Sequence, residues 1–130
     1  MKHQTTLTVT SLVSILLFSL HWTDEIARGL ESGSLSSAGG ILILVVWLYA
    51  TVALIPRPLG VIVVLLGSIM GAGVPILHMQ GAGLIKPRIA ETGHLLFWVW
   101  TNIALGAISA VSVLLCIHLL WNRRRNRPAV

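Results

Sequence analysis

The chain has 130 residues, of which 55% are hydrophobic and 10% are charged, and its formal net charge is +5. Soluble domains carry about 25% charged residues, so this chain has too few polar side chains to cover a water-facing surface. The composition excludes an ordinary soluble domain and predicts one membrane domain over residues 1–130, made of α-helices that pack in lipid. The single cysteine, Cys116, excludes an intrachain disulfide and Cys-x-x-Cys redox chemistry.

Four apolar segments follow one another along the chain and are predicted to be helices. They lie at about 6–28, 38–55, 59–79 and 92–121, and a basic tail follows at 122–130. No small-x-small cleavage site follows the apolar run at about 7–20 before Trp22, so we expect the first segment to be retained and not removed as a signal peptide. Because the connecting loops are short, the pattern predicts an all-α bundle of four transmembrane helices in up-down-up-down order.

The third segment is rich in glycine. Gly67 and Gly71 form a small-xxx-small pair, which lets a neighbouring helix approach the backbone closely. Pro75 lacks a backbone donor, so the carbonyl of Gly71 needs a different partner. We therefore expect Gly67 and Gly71 to mark a helix packing face.

The basic residues predict the orientation in the membrane. Four spans would put both termini and the turn at Arg57 on one side, together with Lys2 and the arginines of the tail. The positive-inside rule then predicts that both termini are cytoplasmic, in a membrane of the bacterial inner-membrane type. The tail arginines suit anionic lipid headgroups, and these are Arg123, Arg124, Arg125 and Arg127. We expect no nucleic-acid partner, because the run is short and directly follows an apolar helix.

Ionisable residues gather at the predicted extracytoplasmic ends of three helices. The candidate ligands are His21, Asp24 and Glu25 in the first helix, His78 in the third, and Glu91 and His94 in the fourth. At ~100° per residue, positions 21, 24, 25 and 28 fall within one arc of the first helix. A bilayer tolerates such residues where they face protein, water or a ligand. We predict that they line one site, in which Arg28 and Thr101 orient the ligands.

Imidazole and carboxylate side chains together suit three kinds of chemistry. They can bind a divalent metal ion, with His21, His78 and His94 as nitrogen ligands. Two facing histidines can instead hold a haem iron, and a histidine flanked by acids can relay protons. The candidate ligands in the first and fourth helices include fewer carboxylates than the di-iron bundle pattern, which uses about four. The identity of the cofactor, a divalent metal ion or haem, is left undecided by these residues. The sequence identifies no reaction.

The same residues can instead have a purely structural role. The end of the first helix can be an interfacial end in which Arg28 pairs with Asp24 or Glu25. His78 can bond a carbonyl freed near Pro75, and Glu91 can complement the dipole of the fourth helix.

Three function hypotheses follow. The leading one is a membrane protein that binds a metal ion, haem or small polar ligand in a cavity open to the extracytoplasmic side. The second is a proton- or ion-coupled transporter acting as a homodimer, which the polar stripe of Thr10, Ser14 and His21 favours. The third is a non-catalytic assembly subunit of a larger membrane complex, whose glycine-lined third helix docks a partner.

Overall fold

A computed structural model describes residues 2–27, 38–79 and 95–125, of which 97% are helical. The described residues form four helices, so the predicted all-α class is confirmed. Helix α1 spans Lys2–Ala27, α2 spans Ala38–Leu54, α3 spans Pro58–Met79 and α4 spans Leu95–Arg125. The last five residues of α2, Ala50–Leu54, form a π-helix.

Two helices extend beyond the predicted segments. Helix α1 begins at Lys2, where the Thr6 hydroxyl donates a hydrogen bond of 3.0 Å to the Lys2 carbonyl. Helix α4 continues to Arg125, so three arginines of the predicted basic tail belong to its last turn. Cationic side chains at that position complement the negative end of the helix dipole.

The lengths of the helices differ in a way that matters for a bilayer. Helices α1, α3 and α4 are long and apolar enough to cross a membrane. Helix α2 is apolar but belongs to the shorter class of 10–17 residues, and its length is at the lower end of the ~17–25 residues with which helices cross a hydrocarbon layer of ~30 Å. The described part of the chain thus contains three candidate spans and one shorter apolar helix.

The bundle is apolar outside and partly polar inside. Large hydrophobic side chains such as Leu42 (63%), Val52 (66%) and Leu114 (67%) are exposed on α2 and α4. The buried polar residues of the described chain are Ser11, Ser14, His21, Thr51, Ser68, Thr101, Asn102, Ser109 and Ser112. Water-soluble monomers rarely expose such a continuous apolar surface. Hydrocarbon, in contrast, favours this distribution, because buried polar groups can find partners inside the bundle.

Helices α1 and α4 pack antiparallel along most of their length. The rings of His3 and His118 lie 5.0 Å apart at one end. Further along, the Ser112 hydroxyl donates to Thr10 Oγ1 at 2.9 Å. At the other end, His21 meets Thr101. This pairing brings the C-terminal end of α1 to the N-terminal end of α4.

A tryptophan joins α2 to its neighbours. Trp47 is 1% exposed, and its indole N–H donates to the Ser11 hydroxyl at 3.0 Å. The Ser11 and Thr51 hydroxyls lie 2.8 Å apart, and Thr51 also donates to the Trp47 carbonyl. The Trp47 ring covers Gly67 of α3. One side chain therefore fixes the positions of α1, α2 and α3 relative to one another.

Small residues allow α3 to approach α4 closely. Gly71 faces the Ser109 hydroxyl, and Gly106 faces the Pro75 ring, so a Cβ atom at either glycine would lie only 2.5 to 2.6 Å from its neighbour. Side chains at these positions would separate the two helices. The close contact carries the end of α3, and with it His78, to the start of α4.

We predict that Gly67→Ala destabilises the bundle and that Gly73→Ala does not. A methyl group at position 67 would overlap the Trp47 ring, whose hydrogen bond to Ser11 restricts its movement. Overpacking of this kind costs about 1–3 kcal/mol. Nothing lies within 4 Å of a Cβ at Gly73, so the better helix propensity of alanine applies there, worth up to ~1 kcal/mol.

Denaturant unfolding in detergent, followed by circular dichroism, compares the two variants. Equal free energies of unfolding for Gly67→Ala and Gly73→Ala would contradict the packing described here.

Candidate metal centre

Two helix ends supply the three side chains of the site. His21 and Glu25 lie four residues apart on α1, so they project from the same face, one turn from each other. His78 is the residue before Met79 at the end of α3. The close packing of α3 on α4 and of α4 on α1 brings His78 against the α1 pair.

The three side chains converge on one point. The Nε2 atoms of His21 and His78 lie 3.3 Å apart. Glu25 Oε1 lies 3.6 Å from the first of these nitrogens and 3.2 Å from the second. The side chains of His21, Glu25 and His78 are 3%, 12% and 23% exposed, so little water separates them.

These distances resemble the edges of a tetrahedron around a small cation. Bonds of ~2.0–2.1 Å at the tetrahedral angle place neighbouring ligand atoms ~3.3–3.4 Å apart. The three observed separations, 3.2 to 3.6 Å, bracket that value. The ligand atoms all lie within 4.8 Å of one another. Two imidazole lone pairs and a carboxylate at this distance repel one another unless protons or a metal ion lie between them.

Thr101 determines which nitrogen of His21 faces the cluster. The Thr101 hydroxyl donates to the backbone carbonyls of Phe97 and Trp98, at 2.9 and 3.1 Å. Its oxygen is therefore an acceptor for His21 Nδ1–H, across a long contact of 3.4 Å. With the proton on Nδ1, the lone pair of His21 Nε2 is free for a cation, which is the usual arrangement of a histidine that binds a metal.

Trp98 forms one wall of the site. It is fully buried, and its ring centroid lies 5.4 Å from that of His21 and 5.1 Å from that of His78. The two imidazoles also contact each other in an edge-on geometry, with centroids 5.2 Å apart. This three-ring packing restricts the rotation of both histidines, so the orientation of their nitrogens is held by the fold.

The structure brings together some of the predicted site residues and not others. The structure brings together His21, Glu25 and His78, and it places Thr101 behind His21. Asp24 is half-buried next to this group but is not one of its three ligand residues. The remaining predicted residues lie outside the described residues, and they are Arg28, Glu91 and His94.

The sequence interpretation missed two buried residues of α4. Trp98 is buried against the histidines, although tryptophans near the ends of membrane helices are typical of the headgroup region. Asn102, one turn further along, is also fully buried, and its amide atoms have no hydrogen-bond partner among the described residues. Their four-residue spacing from each other, together with the three-residue spacing from Trp98 to Thr101, could have indicated a shared inward face.

The geometry does not fit a haem held between His21 and His78. Axial ligands lie on opposite faces of the porphyrin, in line through the iron. Here the two Nε2 atoms are 3.3 Å apart, and Trp98 packs against both rings, so no gap for a porphyrin plane lies between them.

The site therefore consists of two imidazole nitrogens and one carboxylate oxygen, held by three helices at one end of the bundle. This donor set suits borderline divalent metals such as Zn²⁺, and it also suits the sharing of protons. No protein family, curated protein or solved structure that was compared with this chain matches it.

Proposed function

We propose that the chain is an integral membrane protein in which α1 to α4 cross the bilayer in up-down-up-down order. The apolar exterior and the three membrane-length helices support this placement. The described basic residues, Lys2, Arg57 and Arg123–Arg125, lie at or near the ends of helices opposite the cluster. The positive-inside rule makes that end cytoplasmic, with both termini, in a membrane of the bacterial inner-membrane type. The His/Glu cluster then faces the extracytoplasmic side.

The function that the geometry supports best is the binding of a divalent transition metal ion by His21, Glu25 and His78. The observation that carries this proposal is the convergence of the three ligand atoms at tetrahedral distances. Two imidazoles and a carboxylate are typical ligands of Zn²⁺, whereas Mg²⁺ and Ca²⁺ prefer sites made of oxygen. Glu25 supplies one negative charge, which partly compensates the ion in a site removed from water.

Three protein ligands leave one tetrahedral position of the ion for water, a small polar ligand or another residue. An open position of this kind distinguishes metal sites that handle a ligand from closed structural sites. The site is within two turns of the ends of α1 and α3, so a ligand from the extracytoplasmic side would reach it without crossing the bundle. We therefore favour a function at that side of the membrane.

A second candidate function is proton- or ion-coupled transport, with the chain acting as a homodimer. The observation in its favour is the series of buried polar groups that continues from the cluster towards the other end of the bundle. Thr101 contacts His21 at one end, and Ser112 donates to Thr10 further along. Between them on α4 lie Asn102 and Ser109, whose buried polar atoms have no partner among the described residues. Internal water bridging these groups would extend the series into a proton path.

The assembly-subunit hypothesis loses its main support. Gly67 and Gly71 are covered by Trp47 and Ser109 of the same chain. The glycine face of α3 is thus used for packing inside the bundle, and a partner would need a different surface.

For the metal site, we expect the full chain, purified without a histidine tag, to bind about one Zn²⁺ per chain by calorimetry and elemental analysis. His21→Ala and His78→Ala should each weaken binding by more than about 100-fold, because each removes a ligand. Thr101→Val should weaken it by about 10-fold, since it removes only the group that orients His21.

Matched controls for the metal experiment are His3→Ala and His118→Ala, which remove histidines that contact each other at the opposite end of α1 and α4. They should leave the affinity unchanged. Equal losses in these controls and in His78→Ala, or no Zn²⁺ bound by the folded wild type, would refute the metal proposal.

For transport, we expect liposomes containing the chain to dissipate a pH gradient faster than protein-free liposomes. His21→Ala and Asn102→Leu should reduce the rate to that of protein-free liposomes, because both interrupt the buried polar series. His3→Ala serves as the control with normal flux. A pH-sensitive dye inside the liposomes measures the rate, and wild-type flux in Asn102→Leu would exclude this path.

A further inference from the structure

A groove of about 430 Å³ lies at the end of the bundle opposite the His/Glu cluster, between the start of α3 and the end of α4. Its walls are apolar and are formed by Pro58, Ile62, Ile117 and Leu120. Its rim is formed by Trp121, Arg123 and Arg124. The groove thus combines a hydrophobic interior with a cationic rim.

Arg123 is held in place by the bundle and still has hydrogen-bonding capacity. Its Nη2 donates to the Ile55 carbonyl at 3.1 Å, which ties the end of α4 to the chain after α2. Its Nη1 is buried and makes no hydrogen bond to any described residue. A buried guanidinium nitrogen without a partner is costly, and a bound anion would satisfy it. The guanidinium is planar and matches the spacing of two phosphate oxygens.

The charge around the groove also favours an anion. Arg123 and Arg124 line it, and Arg57 lies two residues after Ile55, the residue that Arg123 contacts. The acids of the described residues, Asp24 and Glu25, are near the opposite end of α1. The positive field at this end is therefore not compensated by a carboxylate of the described chain.

The walls of the groove indicate a lipid as the source of the anion. Ile62 and Ile117 lie one turn deeper into the bundle than Pro58 and Trp121, so an acyl chain could follow them away from the arginines. Trp121 is 63% exposed, and tryptophan side chains prefer the headgroup region of a bilayer. Free phosphate would gain nothing from the apolar walls.

We propose that this groove binds one anionic phospholipid, with its phosphodiester on Arg123 and Arg124 and an acyl chain along Ile62 and Ile117. The proposal depends on the bilayer placement given above and not on the metal site, which lies at the other end of the bundle. It assigns two of the basic residues a specific ligand beyond the general attraction of a positive tail to a negative surface.

Native mass spectrometry of the full chain in detergent tests this proposal with phosphatidylglycerol and phosphatidylcholine as the probes. We expect tighter binding of the first phosphatidylglycerol than of phosphatidylcholine. Arg123→Gln and Arg124→Gln should each weaken phosphatidylglycerol binding by about fivefold or more, which corresponds to roughly 1 kcal/mol per cationic side chain. Arg125→Gln is the matched control, because it removes the same charge from the same turn without lining the groove. It should change the affinity by less than about twofold, because salt screens an exposed charge that does not contact the bound phosphodiester.

Arg123→Gln also removes the hydrogen bond to Ile55, so circular dichroism must show that this variant is folded. If it is not folded, Arg124→Gln decides the question. Equal weakening by Arg124→Gln and Arg125→Gln would overturn the site, since only a diffuse surface charge would then remain. The absence of a preference for phosphatidylglycerol over phosphatidylcholine would overturn it as well. Displacement of the lipid by excess inorganic phosphate would show that the groove takes the free anion instead.

Discussion

The convergence of three ligand atoms at one end of the bundle is the constraint on which this structure depends. His21 Nε2, His78 Nε2 and Glu25 Oε1 are separated by 3.2 to 3.6 Å in a site that is largely removed from water. Such atoms repel one another unless a cation or shared protons lie between them. The fold nevertheless holds them together, because Trp98 packs against both rings and Thr101 orients one of them. At these separations the three atoms can share a proton or a cation, and this is the geometry on which the proposed metal site rests.

The rest of the bundle explains how the two helix ends are kept in register. Trp47 fixes α2 between α1 and α3, while Gly71 and Gly106 let α3 lie directly on α4. Close contacts of this kind are the main source of helix association in lipid, where the hydrophobic effect does not drive helices together. Polar side chains on the inside add hydrogen bonds between helices, as between Ser112 and Thr10. The same interior supplies the groups that a proton path would need, so the proposed metal site and the proposed proton path are built on the same helices.

Much of the fold follows from the length of the apolar segments, because a stretch of about 20 apolar residues bounded by glycine, proline or charge has few alternatives to a helix. The meeting of His21, Glu25 and His78 was also predictable, since helix ends on one side of a bundle must lie close together. The inward position of Trp98 was only partly predictable, because its spacing to Thr101 and Asn102 indicates one shared helix face. The spacing does not show that this face is buried, since an interfacial tryptophan and a buried one have the same sequence context.

X-ray absorption spectroscopy of the Zn²⁺-loaded chain identifies the atoms bound to the ion and so tests the proposed ligands. We expect a first shell of nitrogen and oxygen at ~2.0–2.1 Å, with the multiple-scattering pattern of two imidazoles. His78→Ala should reduce this pattern to one imidazole or abolish loading. A shell made only of oxygen, or two imidazoles that persist in His78→Ala, would contradict the assignment of His21, Glu25 and His78 as the ligands.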